Sequence, residues 1–290
     1  MADPSPTGRR IDSDGLVANY YPGPKDRQSP AILLIGGSEG GLGRFMNNYA
    51  LALQRSGYGV LHLSFWRAPG QSERLEQIPI EYFEKGLAWL RAQPDVDPER
   101  LAMAGWSRGS ESAVLVGSRD NGLKALILGM PASHVFEDYA PEPLEIHETS
   151  AWSIAGDALP AVLAKDLPDA MDTPETTAAF LAALEETPAA ALPIAQVNVP
   201  VLMICGEMDI IWPSCPMARV LKTSAEQHRK LEILLIAYEQ AGHVAFGAPA
   251  AMTSTLYPDL AGGGGVSVET NQRALEDSFA ETIGFLMRHL

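Results

Sequence analysis

The sequence predicts an α/β fold, with a mostly parallel central sheet flanked by helices. Three observations point there. Short, fully apolar runs of strand length recur along the chain, helical patterns alternate with them, and glycine-rich turns stand where the runs end. The 290 residues are 46% hydrophobic, enough for a substantial core, and no internal repeat divides them. One domain over 1–290 is therefore expected. The single low-complexity tract, Gly262 to Gly265, is too short to link two domains.

Taken in order, residues 1–29 form a polar tail followed by Gly15 to Tyr21, whose partial alternation suits an edge strand before the Pro22-Gly23-Pro24 turn. Ala31 to Ile35 is the first fully apolar strand, and it runs straight into Gly36-Gly37-Ser38-Glu39-Gly40-Gly41. A helix is predicted over 44–55 and a strand over 58–65. Pro79 opens a helix in which Ile80, Phe83, Leu87 and Leu90 share one face. Leu101 to Ala104 and Leu123 to Leu128 are buried strands separated by a helix, a rhythm that implies right-handed crossovers. The pattern resumes with a strand over 199–205, a helix over 214–225 and a last strand over 231–238. A final helix aligns Leu275, Phe279, Ile283 and Leu286.

Residues 131–196 break this rhythm. They offer no strong strand, only an Ala-rich helical patch from Thr176 to Glu186, and they are expected to cap the carboxyl edge of the sheet, where open α/β sheets bind ligands. Their charge is unusual. Twelve acidic residues face a single Lys165, so this segment carries -11 of the chain's net -15. An excess of that size excludes a general nucleic-acid or anionic-membrane role, since nothing supplies a basic stripe. No apolar run approaches membrane-spanning length, and the only cysteines are Cys205 and Cys215. A soluble cytoplasmic protein without disulfides is expected, with Cys205 a small buried hydrophobe.

The chemistry is concentrated at Gly105-Trp106-Ser107-Arg108-Gly109, a G-x-S-x-G run placed where a strand becomes a helix. With 26 glycines in the chain such a run arises by chance in roughly one case in seven, so its context matters more than its letters. Acyl transfer by serine needs a base for the hydroxyl proton, a carboxylate to orient that base, and donors for the developing oxyanion. Ser107, Asp209 and His243 follow one another in the order nucleophile, acid, base, each just past the end of a predicted strand. The expected oxyanion donors are the backbone N–H groups of Arg108 and of Ser38 or Glu39. The other histidines are read as structural or surface residues. A phosphate-cradling loop at Gly36–Gly41 lacks the required Lys-Ser/Thr, and a zinc helix at His147-Glu148 has Ala151 where the second ligand would stand. Neither a cofactor nor a metal is expected.

Gly37-Ser38-Glu39-Gly40-Gly41, Ile78 to Phe83, the Ser107 run, Ser150-Ala151-Trp152, Gly206 to Ser214, Ala241-Gly242-His243 and Glu276 to Phe279 together resemble the C-terminal catalytic domain of acyl-CoA thioesterases and bile acid-CoA:amino acid N-acyltransferase, a dienelactone-hydrolase-like group. The resemblance runs from about residue 30 to the end. It implies an α/β-hydrolase fold, a Ser107/Asp209/His243 triad and acyl-thioester chemistry. The amidating members use cysteine as nucleophile, so serine here implies hydrolysis. The β-sandwich that precedes this domain in the animal thioesterases is not expected, because only some thirty residues stand before the first core strand. The acidic 131–196 segment would repel coenzyme A unless a cationic mouth offsets it, for which Arg44, Arg67, Arg74 and Arg108 are candidates. Three alternatives stay open: a carboxylesterase or lactone hydrolase for non-CoA esters, an acyltransferase, and a non-catalytic ligand receptor. In each, the partner is a small molecule.

Overall fold

The computed structural model describes residues 4, 7–141, 143–168, 173–228, 232–249 and 266–290. The Gly262–Gly265 tract lies outside them, as do Glu142, Asp169 and Asp172, three of the twelve acidic residues of 131–196.

Strand β1 (Arg9–Ser13) turns into β2 (Leu16–Tyr21), with which it pairs antiparallel. The turn is Asp14-Gly15, with φ of 55° and 70°, the doubly left-handed geometry that closes two-residue hairpins. This corrects the expected edge strand at 15–21: the hairpin makes β1 the edge, and β2, buried along its length, pairs on its other side with β4 (Gly59–Ser64).

From β4 onward the sheet is parallel. β3 (Ser29–Ile35), β6 (Val96–Trp106), β7 (Leu123–Gly129), β10 (Val201–Gly206) and β11 (Ile233–Tyr238) complete the order β1-β2-β4-β3-β6-β7-β10-β11. Both faces are covered, which is why the central strands read as unbroken apolar runs. α1 (Arg44–Arg55) applies Phe45, Met46, Tyr49 and Leu53 to the sheet, and α2 (Ile80–Arg91) applies Ile80, Phe83, Leu87 and Leu90. α3 (Arg108–Gly117) is buried on every side.

A second sheet joins β5 (Ile78–Pro79), β8 (Trp152–Ile154) and β9 (Asp157–Ala158). Segment 131–196 thus contains short strands that its composition did not announce. It also contains α4 (Pro174–Glu185), opened by Thr173 in a reciprocal capping arrangement with Thr176. α5 (Ser214–His228) and α6 (Val268–His289) follow, the latter burying Leu275, Phe285 and Leu286. Phe279 and Ile283 are only partly buried on that helix.

Cys205 and Cys215 form a disulfide, which corrects the expectation of none. The physical reason is proximity: Cys205 is near the end of β10 and Cys215 in the first turn of α5, their Cα atoms 5.1 Å apart, because the connection between them folds back on itself.

Candidate active site

Parallel strands deliver their C-terminal ends to one edge, and the three residues singled out above arrive there on the connections after β6, β10 and β11. Ser107 stands between β6 and α3 with φ 55° and ψ -125°, a conformation that a non-glycine residue adopts only under constraint. Its N–H donates to Gly129 O at 2.8 Å, fixing the turn to the neighbouring strand. Gly105 is required here: a Cβ on it would lie 2.1 Å from Gly109 O, so the helix could not pack so tightly against its own strand.

Ser107 Oγ lies 3.0 Å from His243 Nε2, and His243 Nδ1 lies 2.9 Å from Asp209 Oδ2. All three residues are buried. Asp209 is held in turn, its Oδ1 accepting the N–H groups of Ile211 and Trp212 at 3.1 and 3.4 Å. The His243 loop is fixed from two directions: Trp106 Nε1 donates to His243 O at 3.1 Å, and Gly242 N donates to the buried Asn271 Oδ1 at 2.9 Å. This chain of contacts can draw a proton from the serine hydroxyl while the carboxylate keeps Nε2 as the acceptor.

A cavity of about 330 Å³ opens on Ser107. Its walls are mostly apolar, including Phe136, Val162, Leu167, Phe180 and Trp212, with half-exposed Ile146 and Ile211 among them. Ser38 and Arg108 line it as well; Glu39 does not, and instead borders a neighbouring cavity. The Glu39 carboxylate bends back to accept Gly37 N–H at 2.8 Å, and burial pushes it up to about 7. Arg108 heads α3, so its backbone N–H has no acceptor within the helix.

Sequence reasoning gave Glu111 no role, yet it is central to the packing behind the nucleophile. It pairs with Arg108, and its Oε2 accepts Phe136 N at 3.1 Å and Trp152 Nε1 at 2.8 Å. The nucleophile helix is thereby joined to the cavity wall. Glu137 and Asp138 also line the cavity, and burial, together with the charges of Asp138 and Glu148, holds the Glu137 carboxyl above the usual carboxylate range.

Of the remaining histidines, His62 is buried in β4 and pushed down to about 3 by that burial, while His134 meets Ser133 Oγ and His289 pairs with Glu232. Among the described residues, Glu76, Asp138 and His147 place ligand-type atoms within 4.8 Å of one another. Their capacity is already engaged: Asp138 accepts the N–H groups of His147 and Thr149, and His147 Nδ1 meets Glu76 at 3.0 Å.

Sheet order, strained serine turn and cavity define the chain as an α/β hydrolase. Solved structures agree on the fold. A sugar hydrolase from Lactococcus lactis superposes with a TM-score of 0.62 at 14% identity, covering 97% of each chain. Pyrococcus horikoshii acylaminoacyl peptidase gives 0.58 at 13% identity, covering all of this chain and 42% of the other.

The family is more specific than the fold. Residues 78–290 match the family described as BAAT / Acyl-CoA thioester hydrolase C terminal, and the chain belongs to it. Acyl-coenzyme A thioesterase 1 of Rattus norvegicus is 25% identical over 247 residues, covering 82% of this chain and 54% of its own length. Bile acid-CoA:amino acid N-acyltransferase of Mus musculus is 24% identical over 278 residues, covering 92% and 61%. The chain thus spans little more than half the length of these relatives.

Proposed function

We propose that the protein is a serine-dependent acyl-CoA thioesterase that works through Ser107, His243 and Asp209. The observation that carries this reading is the Ser107–His243–Asp209 contact series opening on an apolar cavity of acyl dimensions. Ser107 Oγ attacks the thioester carbonyl carbon as His243 Nε2 takes its proton. The oxyanion is received by the backbone N–H groups of Arg108 and Ser38. Ser38 is favoured over Glu39 because it faces the Ser107 cavity. Collapse of the tetrahedral intermediate breaks the carbon–sulfur bond, and the imidazolium returns its proton to the leaving thiolate. Water, deprotonated by His243, then attacks the acyl-enzyme and releases the free acid.

We further propose that 1–290 forms one domain, with 131–196 as a cap: this segment contributes Phe136, Ile146, Val162, Leu167 and Phe180 to the cavity wall. No described helix is long and apolar enough to cross a membrane. A cytoplasmic location rested partly on unpaired cysteines, a support that the disulfide removes.

Glu137 and Asp138 on the cavity wall favour a second reading, hydrolysis of neutral or cationic oxyesters. The test is kcat/KM for acyl-CoA against aryl esters of the same acyl group over a salt series, with Ser107→Ala as control. A CoA preference lost in Ser107→Ala supports the thioesterase. Preference for the aryl ester, with CoA turnover rising as salt screens repulsion, would establish the oxyesterase instead.

A further inference from the structure

The Gly36–Gly43 loop divides two cavities. Ser38 borders the one that holds Ser107, whereas Glu39 to Arg44, with Arg67, border a second of about 360 Å³. The two differ in chemistry. The first is walled mainly by aromatic and aliphatic residues, with Arg108, Glu137 and Asp138 among them, and the second by three glycines, Leu42, Glu39 and the two arginines.

The Glu39 carboxylate is engaged with the loop itself, accepting Gly37 N–H at 2.8 Å. Arg67 is anchored at the rim: its Nη1 donates to Glu39 O at 3.4 Å, and its guanidinium lies 5.5 Å from the centre of the Trp66 ring. Arg44 is exposed at the start of α1, whose first turn holds no acidic residue, so the helix end adds to the positive field. In a chain of net charge -15, the two arginines and the helix end make this rim locally positive.

We propose that this second cavity receives a phosphate group on the leaving thiol of the thioester, with Arg44 and Arg67 as its partners. The acyl chain then lies in the apolar cavity, the thioester crosses the loop at Ser38, and the phosphate-bearing arm runs over Gly40–Gly43. The assignment deepens the thioesterase reading and rests on it for the placement of the acyl chain. It also locates the cationic mouth that an acidic protein needs for such a substrate. Two of the four arginines expected from sequence are placed in it; Arg74 instead donates to Glu145 O, and Arg108 pairs with Glu111.

The test compares direct binding of CoA, 4′-phosphopantetheine and phosphate-free pantetheine to the full chain by calorimetry, alongside Arg44→Ala/Arg67→Ala and Arg67→Lys. CoA is expected to bind at least tenfold more tightly than pantetheine, and the double variant to erase that advantage, with Arg67→Lys retaining part of it. An advantage shared by 4′-phosphopantetheine places the anchored group at the 4′-phosphate; one confined to CoA places it on the nucleotide. Equal binding of CoA and pantetheine, or an advantage that survives in the double variant, would overturn the proposal. Hydrolysis is scored separately. A protein that binds CoA through Arg44 and Arg67 yet leaves its thioesters intact sinks the thioesterase reading and keeps the anion site.

Discussion

Arg108 Nη1 lies 3.1 Å from Glu111 Oε1, an ion pair one turn apart on α3 with both side chains buried. Arg108 also donates to the carbonyl oxygens of Phe136 and Glu137, so the pair locks the helix behind Ser107 to the wall of the Ser107 cavity. Removing the carboxylate charge leaves the guanidinium only its two carbonyl acceptors, but it also relieves the burial that holds the Glu111 carboxyl above the usual carboxylate range, so the net loss is about 1–3 kcal/mol. Glu111→Gln is therefore expected to lower unfolding free energy by that amount in urea titrations. A loss below about 1 kcal/mol would contradict the pairing.

In the proposed mechanism Asp209 holds His243 with Nε2 toward Ser107. Asp209→Asn preserves shape but favours the wrong tautomer, so kcat should fall about 10⁴-fold with KM little changed. Steady-state kinetics on a variant with an unaltered circular dichroism spectrum checks this. A drop of less than tenfold would take Asp209 out of the role.

The Cys205–Cys215 bond closes a short loop that contains Asp209. Breaking it frees the unfolded chain more than the folded one and should cost about 2–3 kcal/mol. Thermal unfolding with and without a dithiol reductant, together with a thiol count before and after, gives the measurement. Two free thiols in the untreated protein would mean that the bond is not formed.

Glu39 makes stability pH-dependent. Its carboxyl, ordinarily near 4.5, is pushed up to about 7 by burial in the folded protein, so between those values the native state keeps a proton that the unfolded chain has released. Raising pH through this window therefore lowers stability, by at most about 3 kcal/mol from this group, and the loss is complete above the folded value. Glu39→Gln keeps an acceptor for Gly37 N–H and should remove that slope. Urea unfolding of both proteins at acid, neutral and mildly alkaline pH decides the matter, since parallel profiles would exclude Glu39 as the source.

What was legible in the sequence was what local pattern encodes. α1 starts and ends where its apolar spacing and the glycines before it place it, and the turn at Ser107 was visible because strand, glycine and helix follow one another within a few residues. The β1 hairpin could have been read too, since Asp14-Gly15 is a strong two-residue turn signal, but the polar character of β1 obscured it. The contact of Glu111 with Trp152 joins residues 41 apart in sequence and leaves no periodic trace. The Cys205–Cys215 bond depends on how the Asp209 loop folds back, which spacing alone does not specify.

The central claim is that a covalent acyl group forms on Ser107. Acid quenching of the protein within its first turnovers on acyl-CoA, followed by proteolysis and mass spectrometry, tests it directly. The acyl mass is expected on the peptide carrying Ser107, absent from Ser107→Ala and absent when CoA alone is supplied. Full thioester turnover by Ser107→Ala, or the acyl mass on a different residue, would contradict it.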